Sequence, residues 1–251
     1  MSPAPRFRTR IVPVAAALAV LGAIAAGGWA GWREIAARPI ASVAFSGDVA
    51  RIAPADLDAF ARSLRGAPVG SVSLASVRDA ARRIPWVRDA SVRRRFPDGL
   101  EVRFDTYDVL ARWGKTALVS TRGEVFTAPF DGKLPRFLGP DNSAAQMAEE
   151  YAALARIAAP LASPVAELRL SPRGAWQLLL ESGLTIELGR GDVHPRLERF
   201  VNAWPGLVER GVRTTHADLR YANGFAVRRA AEPAPAATAL SPISRTPTKK
   251  K

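Results

Sequence analysis

Ser171, Asp192 and His194 supply the residue types of a nucleophile, an acid and a base, but no spacing between them supports a catalytic triad. His194 reads as a solvated side chain in the first turn of a helix. The other histidine, His216, stands apart, so no cluster with metal-ligand spacing forms. The chain has no cysteine, which excludes disulfides, thiolate metal sites and thiol nucleophiles. Leu188-Gly189-Arg190-Gly191-Asp192 carries the Gly-x-Gly of a phosphate-cradling turn before a helix. It lacks a third glycine, and Asp192 would put negative charge where the anion belongs. A strand-to-helix turn capped by Asp192 is the better account. Neither a Gly-x-Ser-x-Gly elbow nor a Walker loop is present. These residues point away from an enzyme, and no cofactor, metal or small-molecule substrate is expected.

Charge is the other chemical signal. The chain carries 36 Lys and Arg against 23 Asp and Glu, a formal net charge of +13. Arg82, Arg83, Arg88, Arg93, Arg94 and Arg95 crowd one short stretch. Such a balance raises nucleic acid as a partner. Arginine throughout the chain fits a solvated face, and the sharper alternative is an acidic protein partner or the anionic surface of a membrane.

The N-terminus separates these readings. Residues 1–10 form a polar arm with Arg6, Arg8 and Arg10, and no charge occurs from Ile11 to Trp32. As a helix that run is roughly 33 Å long, enough for a hydrocarbon core of about 30 Å. Trp29 and Trp32 suit the far interface, and the arginines on the short side predict a cytoplasmic N-terminus with the remainder exported. A cleaved secretory signal is the alternative, given small residues around Ala23 and Ala25. A retained anchor, 11–32, fits better because the apolar run continues to Trp32. Export argues against nucleic acid.

The exported part opens on a strand over Ile40–Phe45, then a helix with Pro54 at its start and Leu57, Phe60, Ala61 and Leu64 on one face. Gly66 is its natural stop. Ser73 caps a second helix whose apolar face is Leu74, Val77, Ala81 and Ile84. Pro85 ends it, and alternation takes over. Trp86, Ala90, Val92 and Phe96 are expected on one strand face, and Leu100, Val102 and Phe104 on the next. Pro97-Asp98-Gly99 supplies the turn between them. The order is β-α-α-β-β, with both helices on one face of a three-stranded sheet.

Ile84-Pro85-Trp86-Val87, then Ala90, Val92, Arg94, Phe96-Pro97, Leu100 and Val102, closely resemble the POTRA domain of the FtsQ/DivIB family of bacterial cell-division proteins. Beyond it, strands are expected at Val109–Trp113, Thr116–Ser120, Glu124–Phe126, Val165–Leu170, Ala175–Glu181, Leu184–Leu188, His216–Tyr221 and Phe225–Arg228. Ser182-Gly183 and Ala222-Asn223-Gly224 form turns. Helices are expected over Ala144–Ala158 and from Asp192, where Leu197, Phe200, Val201 and Trp204 line one side and Pro205 ends or kinks the run. Leu118–Phe126, Arg173-Gly174-Ala175-Trp176, Leu188–Asp192 and Asp218–Arg228 extend the resemblance to about Ile40–Arg228. The fold class is α+β: an N-terminal transmembrane helix, a POTRA domain over 40–107, and a mixed β-rich domain with two helices over 108–230. Residues 231–251, rich in Pro, Ala and Thr, read as a disordered tail.

The resemblance implies a non-enzymatic scaffold of the division complex. It would be a single-pass inner-membrane protein at the septum with periplasmic C-terminal domains, binding the membrane proteins FtsB and FtsL. Carried over by motif, the contact residues are Arg220, Tyr221, Asn223 and Gly224, with Arg173. A terminal strand left at a sheet edge would let a partner segment add a strand. Arginine suits a partner carboxylate and Tyr221 supplies apolar area with a polar tip. Some relatives carry a contact tryptophan just past the last strand, where this chain has Arg229. A POTRA-containing secretion or outer-membrane assembly component is the rival reading. Repeated POTRA units and a transmembrane β-barrel would favour it, and the sequence carries neither.

Overall fold

The computed structural model describes residues 11–229, with side chains from residue 16 onward. The expected arm, 1–10, and the expected tail, 231–251, lie outside the described residues. The first element is α1 (Ile11–Ala37), five residues longer than the uncharged run. Leu18, Val20, Leu21, Ile24, Trp29 and Trp32 along it are all more than half exposed. Among the described residues, no helix is long and apolar enough to cross a membrane.

The chain divides after Leu134 into two compact units. In the first, β1 (Ser42–Gly47), α2 (Pro54–Leu64), α3 (Leu74–Ala81), β2 (Val87–Arg95) and β3 (Gly99–Thr106) follow the expected β-α-α-β-β order. The sheet order is β1-β3-β2, with β1 parallel and β2 antiparallel to β3. The local causes are those the residues suggest. Pro54 opens α2, and the Ser73 hydroxyl accepts from Ser76 N–H at the start of α3. Phe60, Leu64, Val77 and Ala81 from the helices meet Leu100, Val102 and Phe104 in one buried core. Burying a side chain of this size contributes about 1.5–3 kcal/mol, so this shared core is what holds helices to sheet.

Trp86 departs from expectation. It precedes β2 rather than lying on its inner face, and its φ is +74°, a backbone region that bulky residues rarely occupy. A bulge between Val87 and Asp89 then resets the pairing, so Val87 and Ala90 enter the core while Phe96 stays exposed. The indole is buried instead with Leu118 and Phe126, and it meets the rings of Phe126 and Phe130 edge-on. Those residues belong to the meander β4 (Val109–Trp113), β5 (Ala117–Ser120) and β6 (Val125–Phe126) and the loop after it.

The second unit contains β7 (Arg136–Leu138), α4 (Ala144–Ala158), a 3₁₀ turn (Ala159–Leu161), β8 (Val165–Leu170), β9 (Trp176–Leu180), β10 (Thr185–Gly189), α5 (His194–Glu209), β11 (Thr214–Asp218) and β12 (Ala226–Arg229). Its strands run in the order β12-β11-β10-β9-β8-β7. The parallel pairs, β7 with β8 and β10 with β11, are the two joined through a helix. A parallel connection needs such a crossover, whereas the antiparallel pairs are joined by turns. Phe137, Leu168, Leu178, Leu180 and Ile186 from the strands and Met147, Leu154 and Phe200 from the helices are fully buried.

Several expectations are corrected here. Asp192 does not cap α5: the cap position is Val193, with no side-chain bond, and Asp192 is exposed. Pro195 in the first turn, where an N–H is not needed, opens the helix instead. Pro205 does not end α5, which continues to Glu209. His194 is not simply solvated, because its Nε2 lies 2.5 Å from Glu150 Oε1 on α4, although not aligned as a hydrogen bond. The penultimate strand ends at Asp218 rather than Tyr221.

Candidate partner-binding edge

The register of the second unit brings the recognition motifs to one end of its sheet. Leu170 on β8 pairs with Trp176 on β9, so the Ser171–Ala175 turn lies at that end. Trp176 pairs in turn with Gly189 on β10. Glu187 lies beside Asp218 on β11, and Asp218 faces Ala226 on β12. The turn carrying Arg173, the Gly189–Asp192 turn and the Arg220–Phe225 loop therefore share an end. With strands about 4.8 Å apart, they span roughly three strand spacings.

Each loop is fixed by its own bonds. The Ser171 hydroxyl accepts from Ala175 N–H at 2.9 Å, Gly174 takes φ +76°, and Arg173 projects exposed between them. At Gly189, φ is +78°, and an added Cβ would lie 2.9 Å from Arg220 Cγ. The bulge glycine thus gives room to the stem of Arg220. Leu219, buried beneath the loop, donates its N–H to the Glu187 carbonyl at 2.8 Å. Phe225 closes the loop by meeting the buried ring of Phe200 at 5.3 Å, nearly perpendicular.

Between those anchors the side chains face solvent. Tyr221 is 57% exposed, and Ala222 and Asn223 are exposed beside it. A Cβ on Gly224 would meet open space, so no packing demand explains that glycine. Arg220 is exposed, but its guanidinium is engaged by Asp218. The hydrogen bond from Arg220 holds the Asp218 carboxyl below the usual carboxylate range, and the same partner raises the guanidinium. β12 is the last strand in this direction, and among the described residues nothing pairs with its outer side. An open edge offers backbone N–H and C=O groups to an added strand.

The structure thus joins Arg220, Tyr221, Asn223 and Gly224 in one loop and puts Arg173 at the same end, on another turn. Asp218, Gly189 and Phe225 hold the loop in place, and none of them is expected in that role from the sequence. The Asp218-x-Arg220 spacing is legible there, whereas Gly189 and Phe225 gain their roles only from contacts distant along the chain.

Comparison with known proteins divides the chain earlier than the two compact units do. Residues 38–104 match the family model described as POTRA domain, FtsQ-type, and residues 111–220 match Cell division protein FtsQ/DivIB, C-terminal. The chain is 44% identical to Cell division protein FtsQ of Burkholderia pseudomallei over 168 residues, covering 64% of this chain and 67% of that one. It is 37% identical to the protein of that name from Xanthomonas campestris over 223 residues, 87% of this chain and 79% of the relative. With the one from Neisseria gonorrhoeae it shares 32% over 199 residues, 78% and 82% of the two chains. Both matched models and all three relatives agree: this chain belongs to the FtsQ/DivIB family of cell division proteins.

Proposed function

We propose that the chain is a non-enzymatic scaffold of the division complex, which binds FtsB and FtsL in the periplasm along the open edge of β12. A partner segment pairs with the β12 backbone, while Tyr221, Asn223, Gly224 and Arg220 set its register. Arg173 meets an acidic group at the same end of the sheet. The observation that carries this reading is the combination of an unpaired edge with a rigidly held but exposed loop. Main-chain pairing gives affinity in such a mode, and neighbouring side chains give specificity.

The anchor belongs to the same reading. The hydropathy of the described residues alone does not make α1 a span. The run from Ile11 to Trp32 carries no charge, and Leu18, Val20, Leu21 and Ile24 within it are more than half exposed. α1 then crosses the inner membrane with the N-terminus cytoplasmic, and the protein acts at the septum among other division proteins. Residues 40–107 are the POTRA domain of this scaffold and 108–230 its partner-binding domain. Both matched domains are FtsQ-type, which leaves a secretion or outer-membrane assembly role without separate support.

Co-purification of the full chain with FtsB and FtsL tests the assembly. A stable complex is expected, and its loss on deleting β12 with the fold intact places the contact there. Retention of both partners without β12 would refute the edge as the docking site.

A further inference from the structure

At one end of the first unit, the last turn of α1 is seated on the loop between α2 and α3. The Ala36 carbonyl accepts from Gly70 N–H, and the Arg38 carbonyl from Val69 N–H, both at 2.9 Å. A Cβ on Gly70 would lie 2.5 Å from the Ala36 Cβ, so only glycine permits this approach. Ala41 N–H donates to the Asp98 carbonyl at 2.9 Å, which brings the β2–β3 turn to the exit of α1. Phe96, in that turn, is 78% exposed.

Trp29, Trp32, Arg33, Gly70, Ser71 and Arg94 line an open groove at this place, and among the described residues no carboxylate lines it. The Arg33 guanidinium stacks 4.8 Å from the Trp29 ring centroid. Arg94 donates Nε to the Val69 carbonyl and Nη2 to the Val72 carbonyl, each at 3.0 Å. Those bonds fix the guanidinium, and among the described residues the rest of its five N–H donors have no partner. Single exposed apolar side chains need no explanation, but here two tryptophans share a groove with two oriented guanidinium groups, and Phe96 is exposed in the turn that meets the exit of α1. An interface of apolar chains and phosphate esters satisfies both: aromatic rings favour the headgroup level, and guanidinium matches phosphate.

We propose that this groove seats the phosphate of an anionic phospholipid between Arg33 and Arg94, with Phe96 entering the headgroup layer beside it. The inference rests on α1 being an anchor and adds that the sheet end bearing Phe96 lies on the bilayer. Charge complementarity and continuity with α1 single out a lipid as the occupant.

The chain contains no cysteine, so one F96C variant of the full chain can carry a single nitrobenzoxadiazole label. It is reconstituted in vesicles of phosphatidylcholine, alone or with phosphatidylglycerol. The expected result is a blue shift and quenching by headgroup spin-labelled lipid, stronger when phosphatidylglycerol is present. R33Q or S71E, both at exposed positions, should each reduce the phosphatidylglycerol-dependent part about fivefold, the factor one charge contributes near an anionic leaflet. If the chain floats with both vesicles while the label stays aqueous, or responds equally in both, the phosphate site is wrong and the anchor stands. The phosphate site is equally wrong if R33Q and S71E behave as the parent. A chain that floats with neither vesicle defeats the anchor, and the site with it.

Discussion

Arg220 and Asp218 form a two-pronged pair at the end of β11, with Nε donating to Oδ1 at 2.9 Å and Nη2 to Oδ2 at 2.6 Å. The edge of the guanidinium that best matches a carboxylate is therefore occupied within the chain. Among the described residues Arg220 Nη1 has no hydrogen-bond partner, and the stem of Arg220 lies over Gly189. Asp218 thus acts on the loop by orienting Arg220.

That arrangement predicts a non-additive cycle. Arg220→Ala and Asp218→Asn should each change stability by no more than about 1 kcal/mol, because the pair is largely exposed on the arginine side. Each should weaken partner binding, and the double variant should bind no worse than the poorer single one. Calorimetry on the four proteins measures the coupling. Strictly additive losses would mean that Asp218 does not position Arg220.

Trp86 predicts an inverted order of substitutions. Removing the buried indole costs about 3–5 kcal/mol in Trp86→Ala. Alanine, however, would keep the φ of +74°, which glycine adopts without a Cβ clash. Trp86→Gly should therefore be the more stable of the two by about 1 kcal/mol, against the usual cost of glycine. Urea denaturation of both variants decides it, and an alanine variant at least as stable as the glycine one would show that the residue is unstrained.

Trp86 also marks what the sequence could and could not convey. Helix faces, the Ser73 cap, Pro54 and the Ser182-Gly183 turn are legible because each depends on neighbours within a few residues. Ala144–Ala158 and Val165–Leu170 have the expected ends for the same reason. The alternation through Trp86 and Val92 reads as one continuous face, but the bulge at Val87–Asp89 breaks its phase. Only contact with Phe126 and Phe130 reveals where the indole goes. β7 spans three residues, Arg136–Leu138, too few for any periodicity, and the sequence gives no sign of it. At the candidate edge the exposed loop is legible as a motif. The engagement of Arg220 by Asp218 and the role of Gly189 follow from pairing between strands, which local pattern does not carry.

Acid should weaken one tie between helix and sheet. Arg78 on α3 donates Nε and Nη2 to the Asp89 carboxylate on β2, at 2.9 and 2.6 Å. That hydrogen-bonded guanidinium lowers the Asp89 carboxyl to about 2. A depressed carboxyl binds its proton more weakly in the folded chain than in the unfolded one. Its contribution is complete above the ordinary value of about 4 and is lost as pH falls toward 2. Asp89→Asn should therefore be less stable than the parent at pH 6, with the gap closing between about pH 4 and pH 2. Denaturation midpoints across that range test it, and a gap independent of pH would contradict the pairing.

Calorimetric titration of the full chain with the periplasmic segment of FtsB, comparing parent and Tyr221→Ala, tests the central claim most directly. Interface energy concentrates in aromatic and arginine anchors, and Tyr221 is the exposed aromatic residue of the loop leading into β12. Losing such an anchor should cost about 2 kcal/mol or more, a weakening of roughly thirtyfold, while circular dichroism stays that of the parent. A folded Tyr221→Ala chain that binds FtsB as tightly as the parent would contradict docking at this edge.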